Sequence, residues 1–237
     1  MEINALGLRY DELNSEVRDV DGRVTVENCL GQRFIGAGQS EKDIIIKGTP
    51  GNALGSYLDG ANITVYGNAQ DATGDTMNNG KIVIHGSTGD AAGYAMRGGQ
   101  IFVRDNAGYR AGIHMKAYAG KLPVIVIGGR CGSFLGEYQA GGIIIVLGLN
   151  CSGKDVVGSF CGTGMHGGKI FIRCDVLPAG LPEQINVQEA SEADMDEIGP
   201  YLAEYEKLFH RKIPSDRKMF KLTPNTNNPY KQLYVQN

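Results

Sequence analysis

The sequence predicts an all-β protein, a right-handed parallel β-helix of about seven to eight coils, and three regularities support this prediction. Glycines recur at a nearly constant interval, pairs of β-branched residues recur in step with them, and no stretch between residues 31 and 174 has room for a helix between strands. Units of 19 to 26 residues with one strand each are therefore expected to stack as coils.

The glycine series sets the length of the repeat. Its first five members recur at a constant sequence interval of 19, and the last two follow at intervals of 20 and 26. We interpret all seven as structural corner glycines: Gly36, Gly55, Gly74, Gly93, Gly112, Gly132 and Gly158. Tight corners need positive φ or leave no room for a Cβ, and glycine meets both conditions.

Pairs of the form x-[IV]-x-[IV] predict one strand in each coil, because alternation is typical of a strand with one buried face. The pairs are Val24/Val26, Ile44/Ile46, Ile63/Val65, Ile82/Ile84, Ile101/Val103, Val124/Val126, Ile144/Val146 and Ile170/Ile172. The distance from glycine to pair is 8 residues in the first four units and 12 in the last three. This shift predicts insertions at one corner and a wider second half, where we expect a partner surface. Crossovers between parallel strands are strongly right-handed, which sets the expected hand.

A row of apolar residues repeats at the same interval of 19: Leu58, Met77, Met96 and Met115. We interpret it as a ladder of stacked side chains that fills the interior, since methionine packs well into irregular cores.

The segments on either side of the solenoid, which we assign to 23–175, are expected to cover its open ends. Residues 1–22 are predicted to form a capping helix, and its apolar face would consist of Leu6, Tyr10, Leu13, Val17 and Val20.

Residues 176–237 are predicted to form helices and an extended arm. Ser191 and Asp194 have the spacing of a capping box, and Gly199-Pro200 is expected to end that helix and begin another. The inward side of the second helix would be Leu202, Tyr205 and Phe209. The arm, from about residue 211, carries Tyr230 and Tyr234 and either packs on a partner or is a solvated tail.

Composition excludes several classes of function. A net charge of −3 and a pI near 5.8 give no electrostatic case for nucleic-acid binding. The start of the chain lacks the features of an export signal, and the longest apolar run, 143–149, is too short to span a bilayer. We therefore expect a cytoplasmic protein without a membrane partner.

The five cysteines are expected to be buried free thiols. They are Cys29, Cys131, Cys151, Cys161 and Cys174. An odd number without a CxxC pair argues against a zinc site or an iron–sulfur cluster held by this chain alone.

Two stretches imitate phosphate-binding motifs. Gly148, Gly153 and Lys154 are spaced as in a P-loop, but Asp155 stands where a Ser or Thr must hold magnesium. Gly162, Gly164 and Gly167 form GxGxxG, which leads into the strand KIFIR and not into the helix that a dinucleotide requires. We therefore interpret both stretches as corners of coils.

The remaining reactive side chains do not form a convincing catalytic set. Cys161 and His166 could in principle be a nucleophile and base, but no orienting carboxylate is evident nearby. Four other carboxylates, Asp71, Asp75, Asp90 and Asp105, do not hold one phase of the repeat, unlike the stacked acids of a polysaccharide-cleaving β-helix. We predict no catalytic, cofactor-binding or metal-binding residue in this chain.

Two stretches carry a family resemblance: GGIIIVLGLNCSGKDVVGSFCGTGMHGGKIFIR at 141–173 and ENCLGQRFIGAGQ at 27–39. With the glycine repeat between them, they resemble the GXGXG domain in the C-terminal region of the large subunit of glutamate synthase. The likeness covers residues 3–210 and is greatest to the free-standing form, in which this domain is a separate polypeptide. A β-helix subunit of formylmethanofuran dehydrogenase is a more distant relative with the same repeats.

The resemblance implies a right-handed β-helix without catalytic residues, which braces its partners and helps to surround an ammonia tunnel. The implied partners are a glutaminase of the class II amidotransferase type and an FMN-binding synthase. Ammonia from glutamine would react with 2-oxoglutarate, and reduced FMN on a partner would deliver the hydride. The resemblance places FMN and an iron–sulfur cluster on partner subunits and no cofactor on this chain, which would be one subunit of an oxidoreductase acting on CH–NH2 donors.

Two alternatives stay open from the sequence. One is a β-helix subunit of a formylmethanofuran-dehydrogenase-type complex. The other is a stand-alone enzyme or carbohydrate-binding β-helix, although the absence of Trp and only 8% aromatic residues argue against a surface that stacks on sugars. Self-association of the chain is a further possibility.

Overall fold

A computed structural model of the protein describes residues 1–149, 151 and 155–225, and it is a β-solenoid of about eight turns with two helices. The elements in chain order are β1 (Glu2–Asn4), α1 (Tyr10–Asp19), β2 (Gly22–Leu30), β3 (Lys42–Thr49), β4 (Asp59–Tyr66), β5 (Asn79–Ile84), β6 (Gln100–Val103), β7 (Val124–Ile127), β8 (Ala140–Val146), β9 (Gly167–Cys174), β10 (Ile185–Glu189), α2 (Glu192–Phe209) and β11 (Lys218–Pro224). Strands β1 to β9 pair in parallel in chain order, which confirms the predicted all-β parallel solenoid.

The inward β-branched residues pair in register from coil to coil. The row is Val24, Ile44, Ile63, Ile82, Ile101, Ile125, Ile144 and Ile170. The predicted pair Val124/Val126 is wrong by one residue, because Ile125 and Ile127 are the side chains that join the interior cluster. Val124 and Val126 are buried on the opposite face of β7, so alternation gave no signal there.

With this register, the two long coils carry insertions at different places. The sequence interval along the row is 19 in the central coils, 24 from Ile101 to Ile125 and 26 from Ile144 to Ile170. The first insertion lies before β7 and contains a small antiparallel bridge at 118–121, and the second follows β8. The predicted lengthening of the glycine-to-strand distance at a single corner of the last three coils is therefore wrong.

The predicted methionine ladder is confirmed as core. Leu58, Met77, Met96 and Met115 are all fully buried. Gln139 and Met165 occupy the next two positions of the ladder, three residues after the corresponding turn glycines. Gln139 is also fully buried, and its Nε2 donates to the carbonyls of Gly141 and Gly142, while its Oε1 has no hydrogen-bond donor among the described residues.

The first end of the solenoid is covered by α1, although the helix is shorter than predicted. Leu13 and Val17 are buried against the core, but Leu6 lies before the helix and is 73% exposed, and Tyr10 is 40% exposed. The residues before α1 instead form β1, which adds a parallel strand to β2 and buries Ile3. A short strand of this kind leaves little exposed sheet edge.

A lysine at the start of β3 contacts the C-terminal end of α1. The Nζ of Lys42 donates to the carbonyl oxygens of Val17 and Arg18 at 2.6 and 3.0 Å. The last carbonyls of a helix lack partners within the helix and carry partial negative charge, so a buried ammonium stabilises this terminus.

The second helix is continuous, so the predicted break at Gly199-Pro200 is wrong. The helix begins at the predicted capping box of Ser191 and Asp194 and continues through Pro200 to Phe209. Proline usually disrupts a helix interior. Here Ile198 and Tyr205, on either side of the proline, are buried in one apolar cluster, and this packing stabilises both halves of the helix.

This apolar cluster lies between α2 and the outer face of the later strands. Its largest buried members are Phe102, Phe171 and Tyr205. Two ion pairs fix the helix across the coils, Lys81 with Glu204 at 2.7 Å and Lys169 with Glu197 at 2.6 Å. Neither helix of the described ranges has the length and apolar character needed to cross a bilayer.

The segment predicted as helices and an arm also contains two strands. β11 pairs antiparallel with β9, and β10 pairs antiparallel with β11, so this hairpin continues the sheet beyond the last coil. Residues 226–237 of the predicted arm, with Tyr230 and Tyr234, lie outside the described residues.

Candidate interaction surface

Seven coils share a five-residue turn in which the first, third and fifth residues have positive φ, and we call it the alternating turn. The seven segments are 34–38, 53–57, 72–76, 91–95, 110–114, 134–138 and 160–164. The third residue is glycine in all seven, and a side chain at this position would point into the core. A Cβ built on Gly74, for example, would lie 2.5 Å from Cδ1 of Ile101.

Five of the seven corner glycines occupy this central position: Gly36, Gly55, Gly74, Gly93 and Gly112. Gly132 and Gly158 do not, because the central residues of the last two turns are Gly136 and Gly162. The two outliers lie earlier in their coils, where a Cβ would meet backbone of the preceding coil, 2.9 Å from the carbonyl carbon of Gly108 and 2.7 Å from the amide nitrogen of Ser133. The insertion of five residues before β7 moves the later turns along the sequence, so glycines that continue the interval of about 20 no longer coincide with the turn centres.

Hydrogen bonds join each alternating turn to its neighbours. In the first six turns, the first and fifth N–H groups donate to the next coil, as Ala72 does to Asp90 at 2.8 Å, while the central N–H of Gly74 donates back to Leu54 at 2.8 Å. The turns therefore form a stacked hydrogen-bonded column and not a row of independent loops.

Aspartates support this column at two levels. Asp71 Oδ1 accepts a hydrogen bond from the N–H of Asp90 at 2.9 Å, and Asp90 Oδ1 accepts one from Tyr109 at 2.8 Å. These two carboxylates are 19 residues apart and share one phase of the repeat, although the four carboxylates taken together do not, as predicted. Their role is to satisfy backbone N–H groups of the next coil, as asparagine and serine side chains do at other levels.

The outer positions of the last three turns carry a stack of flat side chains, which we call the aromatic patch. It consists of Arg110, His114, Phe134, Tyr138 and Phe160, and Tyr94 of the preceding turn packs edge-on against His114. Cζ of Arg110 lies 4.6 Å from the ring centroid of Phe134, and the rings of Phe134 and Phe160 are stacked with centroids 4.9 Å apart. Beside them, the rings of His114 and Tyr138 stack with centroids 5.2 Å apart.

The aromatic patch is open to solvent. Phe160 is 52% exposed and Tyr138 is 39% exposed. Arg110 is held by Glu137 at 2.9 Å, which fixes its guanidinium above the ring of Phe134. Exposed clusters of aromatic side chains with arginine are typical of protein interaction sites. The turns of the third and fourth coils have small residues at the same outer positions, Ala72, Ala91 and Ala95 among them, so the patch occupies only the later half of this face.

Sequence reasoning missed the aromatic patch. Its signal is an aromatic, histidine or arginine residue two positions before or after a turn glycine. Arg110 lies two residues before its turn glycine, Gly112. If Gly132 and Gly158 are taken as the glycines of the last two turns, Phe134 and Phe160 lie two residues after a glycine, so they are not recognised as equivalent to Arg110.

The two imitated phosphate motifs lie in different parts of the solenoid. Gly148 has φ of +60° and lies in the insertion after β8, while Gly153 and Lys154 lie outside the described residues. Gly162 and Gly164 belong to the last alternating turn, and Gly167 begins β9, so this motif leads into a strand as predicted.

The cysteines are buried, as predicted, and they are poor nucleophiles. Burial raises the pKa of the Cys161 thiol far above its usual range, and it raises the pKa of Cys131 to about 12 and those of Cys29 and Cys174 to about 11. Cys161 is fully inaccessible to solvent, so it cannot act as an attacking thiolate with His166 as its base. Within the described ranges, His, Cys, Asp and Glu side chains form no cluster of three or more that could hold a metal ion.

The family model of the GXGXG motif matches residues 10–218. The chain belongs to the GXGXG motif family. The positive-φ residues of the alternating turn have the spacing of the glycines in that name, at positions one, three and five, and glycine is constant at position three.

Two comparisons extend this assignment. The GXGXG chain is 44% identical to an uncharacterised protein of Methanocaldococcus jannaschii, over 98% of this chain and 95% of that protein. Its fold is similar to a chain in the crystal structure of the formyltransferase/hydrolase complex of Methylorubrum extorquens, solved with methylofuran. The TM-score is 0.60 at 18% identity, with 94% of this chain and 96% of the other covered, so this likeness concerns the fold.

Proposed function

We propose that the chain is a non-catalytic structural subunit of a glutamate-synthase-type complex, in which it braces a glutaminase and an FMN-binding synthase around an ammonia path. The aromatic patch is the observation that carries the proposal. It is a rigid, solvent-exposed surface on a solenoid whose described residues present no reactive set, and surfaces of this composition favour protein partners.

The architecture suits a spacer between two active sites. The five inner alternating turns are hydrogen-bonded to the coils above and below them, and the interior is filled by the isoleucine and methionine ladders. Parallel strands of neighbouring coils lie about 4.8 Å apart, so eight coils hold surfaces at their two ends on the order of 35 Å apart. Glutaminase and synthase would gain from a fixed separation, since ammonia that reaches solvent is lost from the reaction.

The experiment is reconstitution with separate glutaminase and FMN-binding synthase polypeptides. Adding the chain is expected to raise glutamine-dependent glutamate formation and to leave formation from free ammonia nearly unchanged, because a brace acts on transfer and not on the synthase chemistry. The complex should also co-purify.

A matched pair of variants connects the activity to the patch. Phe160→Ser removes the exposed end of the stack and is expected to weaken assembly, whereas Tyr57→Ser, at an equally exposed outer position of the second turn, is expected to leave it intact. Failure of the unmodified chain to bind either polypeptide or to raise glutamine-dependent turnover would falsify the proposal.

The similarity to a chain of the formyltransferase/hydrolase complex supports a second candidate, a β-helix subunit of a formylmethanofuran-dehydrogenase-type complex. This candidate requires co-purification with a molybdopterin or tungstopterin subunit from native extract. The same pull-down therefore distinguishes the two assemblies by the cofactor of the captured partner. Hydrolase or lyase activity of the isolated chain would favour a stand-alone enzyme over both.

A further inference from the structure

The insertion before β7 forms a tight hairpin with a defined geometry. Tyr118 and Lys121 exchange two backbone hydrogen bonds, at 3.2 and 3.0 Å. Between them, Ala119 and Gly120 have φ of +51° and +76°. Positive φ at both central residues is typical of the two-residue turns that close short hairpins. The insertion therefore holds its side chains in fixed positions on the surface.

Glycines in the coils on either side make room for this hairpin. A Cβ built on Gly98, in the coil before it, would lie 2.9 Å from Cβ of Lys121. One built on Gly141, in the coil after it, would lie 2.7 Å from the amide nitrogen of Ala117. Nζ of Lys121 also reaches Oδ1 of Asp59, at the start of β4, at 3.2 Å. The hairpin thus lies back over the corner of the preceding coils.

Two cations beside the hairpin occupy equivalent positions in neighbouring coils. The N–H of Arg97 donates to Met77 at 2.8 Å, and that of Lys116 donates to Met96 at 2.9 Å. Neighbouring coils are about 4.8 Å apart, and like charges at adjacent positions of a sheet repel each other. Both side chains are exposed, and among the described residues no carboxylate lies within ion-pair distance of either. Their repulsion is therefore not balanced by an acid of the described chain.

The two cations and the hairpin form one surface, which we call the basic corner. It consists of Arg97, Lys116, Tyr118, Lys121 and Leu122. Tyr118 is 59% exposed and Leu122 is 44% exposed, and Cζ of Arg97 lies 5.9 Å from the ring centroid of Tyr118. Among the described residues, only the carboxylate of Asp59 pairs with a cation of this surface, that of Lys121. The basic corner is thus a positive and partly apolar surface on a chain whose net charge is −3.

The basic corner adjoins the aromatic patch. Lys116 follows His114 of the patch by two residues, and only the buried Met115 separates them. Tyr94, whose ring centroid lies 5.9 Å from that of His114, precedes Arg97 by three residues. A protein that covers the patch would therefore also meet the basic corner, as polar residues surround the apolar centre of a typical interface.

We propose that the basic corner binds an acidic segment of the protein that covers the aromatic patch. One Asp or Glu carboxylate of that segment lies between the cations of Arg97 and Lys116, and an apolar side chain packs on Tyr118 and Leu122. The carboxylate offsets the repulsion between the two cations and accepts charge-assisted hydrogen bonds from them. The inference rests on the proposed function for the identity of the partner, and it adds the chemistry by which that partner is recognised.

The test compares how the unmodified chain and the double variant Arg97→Gln/Lys116→Gln bind the separate glutaminase and FMN-binding synthase polypeptides. The variant is expected to bind about fivefold more weakly at low salt, chiefly through slower association, because charges at the rim of an interface act on the association rate. High salt should reduce this difference by screening the charges.

A matched control removes the same charge elsewhere. Arg18 and Arg23 are exposed near the first end of the solenoid, so Arg18→Gln/Arg23→Gln changes the net charge equally and should bind like the unmodified chain. Both double variants replace exposed side chains, and circular dichroism should show that they unfold at nearly the same urea concentration as the unmodified chain.

Carbodiimide cross-linking tests the contact itself, since the reagent joins a neighbouring amine and carboxylate as an amide with loss of water. Mass spectrometry of the complex is expected to find Nζ of Lys116 joined to an Asp or Glu of the partner. Lys116→Arg should abolish this link and keep the affinity within about twofold, because arginine retains the charge.

Unchanged affinity and salt dependence of the Arg97/Lys116 variant overturn the inference and leave the proposed function standing. An equal loss in the Arg18/Arg23 variant also overturns it, since net charge alone then explains the effect. A cross-link from Lys116 to a second copy of the chain overturns it as well. If the unmodified chain binds neither polypeptide, the proposed function fails, and this contact fails with it.

Discussion

The central glycine of the alternating turn makes a prediction that can be worked out atom by atom. In Gly74→Ala, the new Cβ would meet two costs. The residue has φ of +70°, which an L side chain adopts at about 1–2 kcal/mol, and the Cβ would lie 2.5 Å from Cδ1 of Ile101. Ile101 is fully buried, so its methyl group must move within a packed core, at about 1–3 kcal/mol. The free energy of unfolding should therefore fall by about 2–5 kcal/mol.

Two further variants separate these costs. Gly38→Ala has nearly the same φ, +69°, and nothing within 4 Å of the new Cβ, so it should lose only the backbone term of about 1–2 kcal/mol. Ile101→Val removes the atom that Gly74→Ala meets. Alone it should cost about 0.5–1.5 kcal/mol, but in the Gly74→Ala background it should restore stability.

The assay is urea denaturation followed by circular dichroism, with midpoints and slopes compared across the unmodified chain, the three single variants and the double variant. The reasoning is refuted if Gly74→Ala costs no more than Gly38→Ala. It is also refuted if the effects of Gly74→Ala and Ile101→Val simply add, since neighbours in contact should show a coupling energy.

Three more predictions concern other parts of the molecule. Burial acts to raise the pKa of Asp194, but hydrogen bonds from Lys221 and Ser191 outweigh it and lower the pKa to about 2. A carboxyl with a lowered folded pKa contributes stability above its unfolded pKa, so thermal melts should show about 2 kcal/mol lost as pH falls from about 4 to 2, and Asp194→Asn should flatten this dependence. Tyr205→Phe removes a buried hydroxyl that donates to the carbonyl of Arg104 at 2.8 Å, and its midpoint in urea should reflect a loss of about 1 kcal/mol, with an unchanged midpoint contradicting the bond. A thiol reagent at neutral pH should label the folded chain far more slowly than the chain in denaturant, because all five cysteines are buried, and rapid labelling of Cys161 would contradict the packing of the last turn.

Much of the fold can be predicted from the sequence because each coil makes the same kind of contacts with the next. The interior isoleucines pair with their equivalents in the next coil, so their spacing states the register directly. The capping box at Ser191 and Asp194 could also be predicted, since its two hydrogen bonds join residues close in sequence. The inward-facing residues of β7 could not be predicted, because both faces of VIVI are buried and the sequence pattern does not distinguish them.

The candidate surface was harder to predict than the fold. The aromatic patch forms from residues that are 24 and 26 positions apart, and each interval contains an insertion. Locating it requires the positions of the last two alternating turns, which the glycine spacing gave incorrectly. The continuous α2 was missed for a similar reason, since the packing that carries it through Pro200 involves strands far away in the chain.

The two ion pairs that join α2 to β5 and β9 divide the coils of the solenoid into two unequal groups. A solenoid coil touches only its neighbours, so such a protein tends to open from its ends, one coil after another. Glu204 holds Lys81 in the fourth coil and Glu197 holds Lys169 in the eighth, so a single helix straps five coils together. These five coils should melt as one unit. The three earlier coils lie outside the strap, which makes the junction between β4 and β5 the line along which the molecule should first come apart under heat or mechanical load.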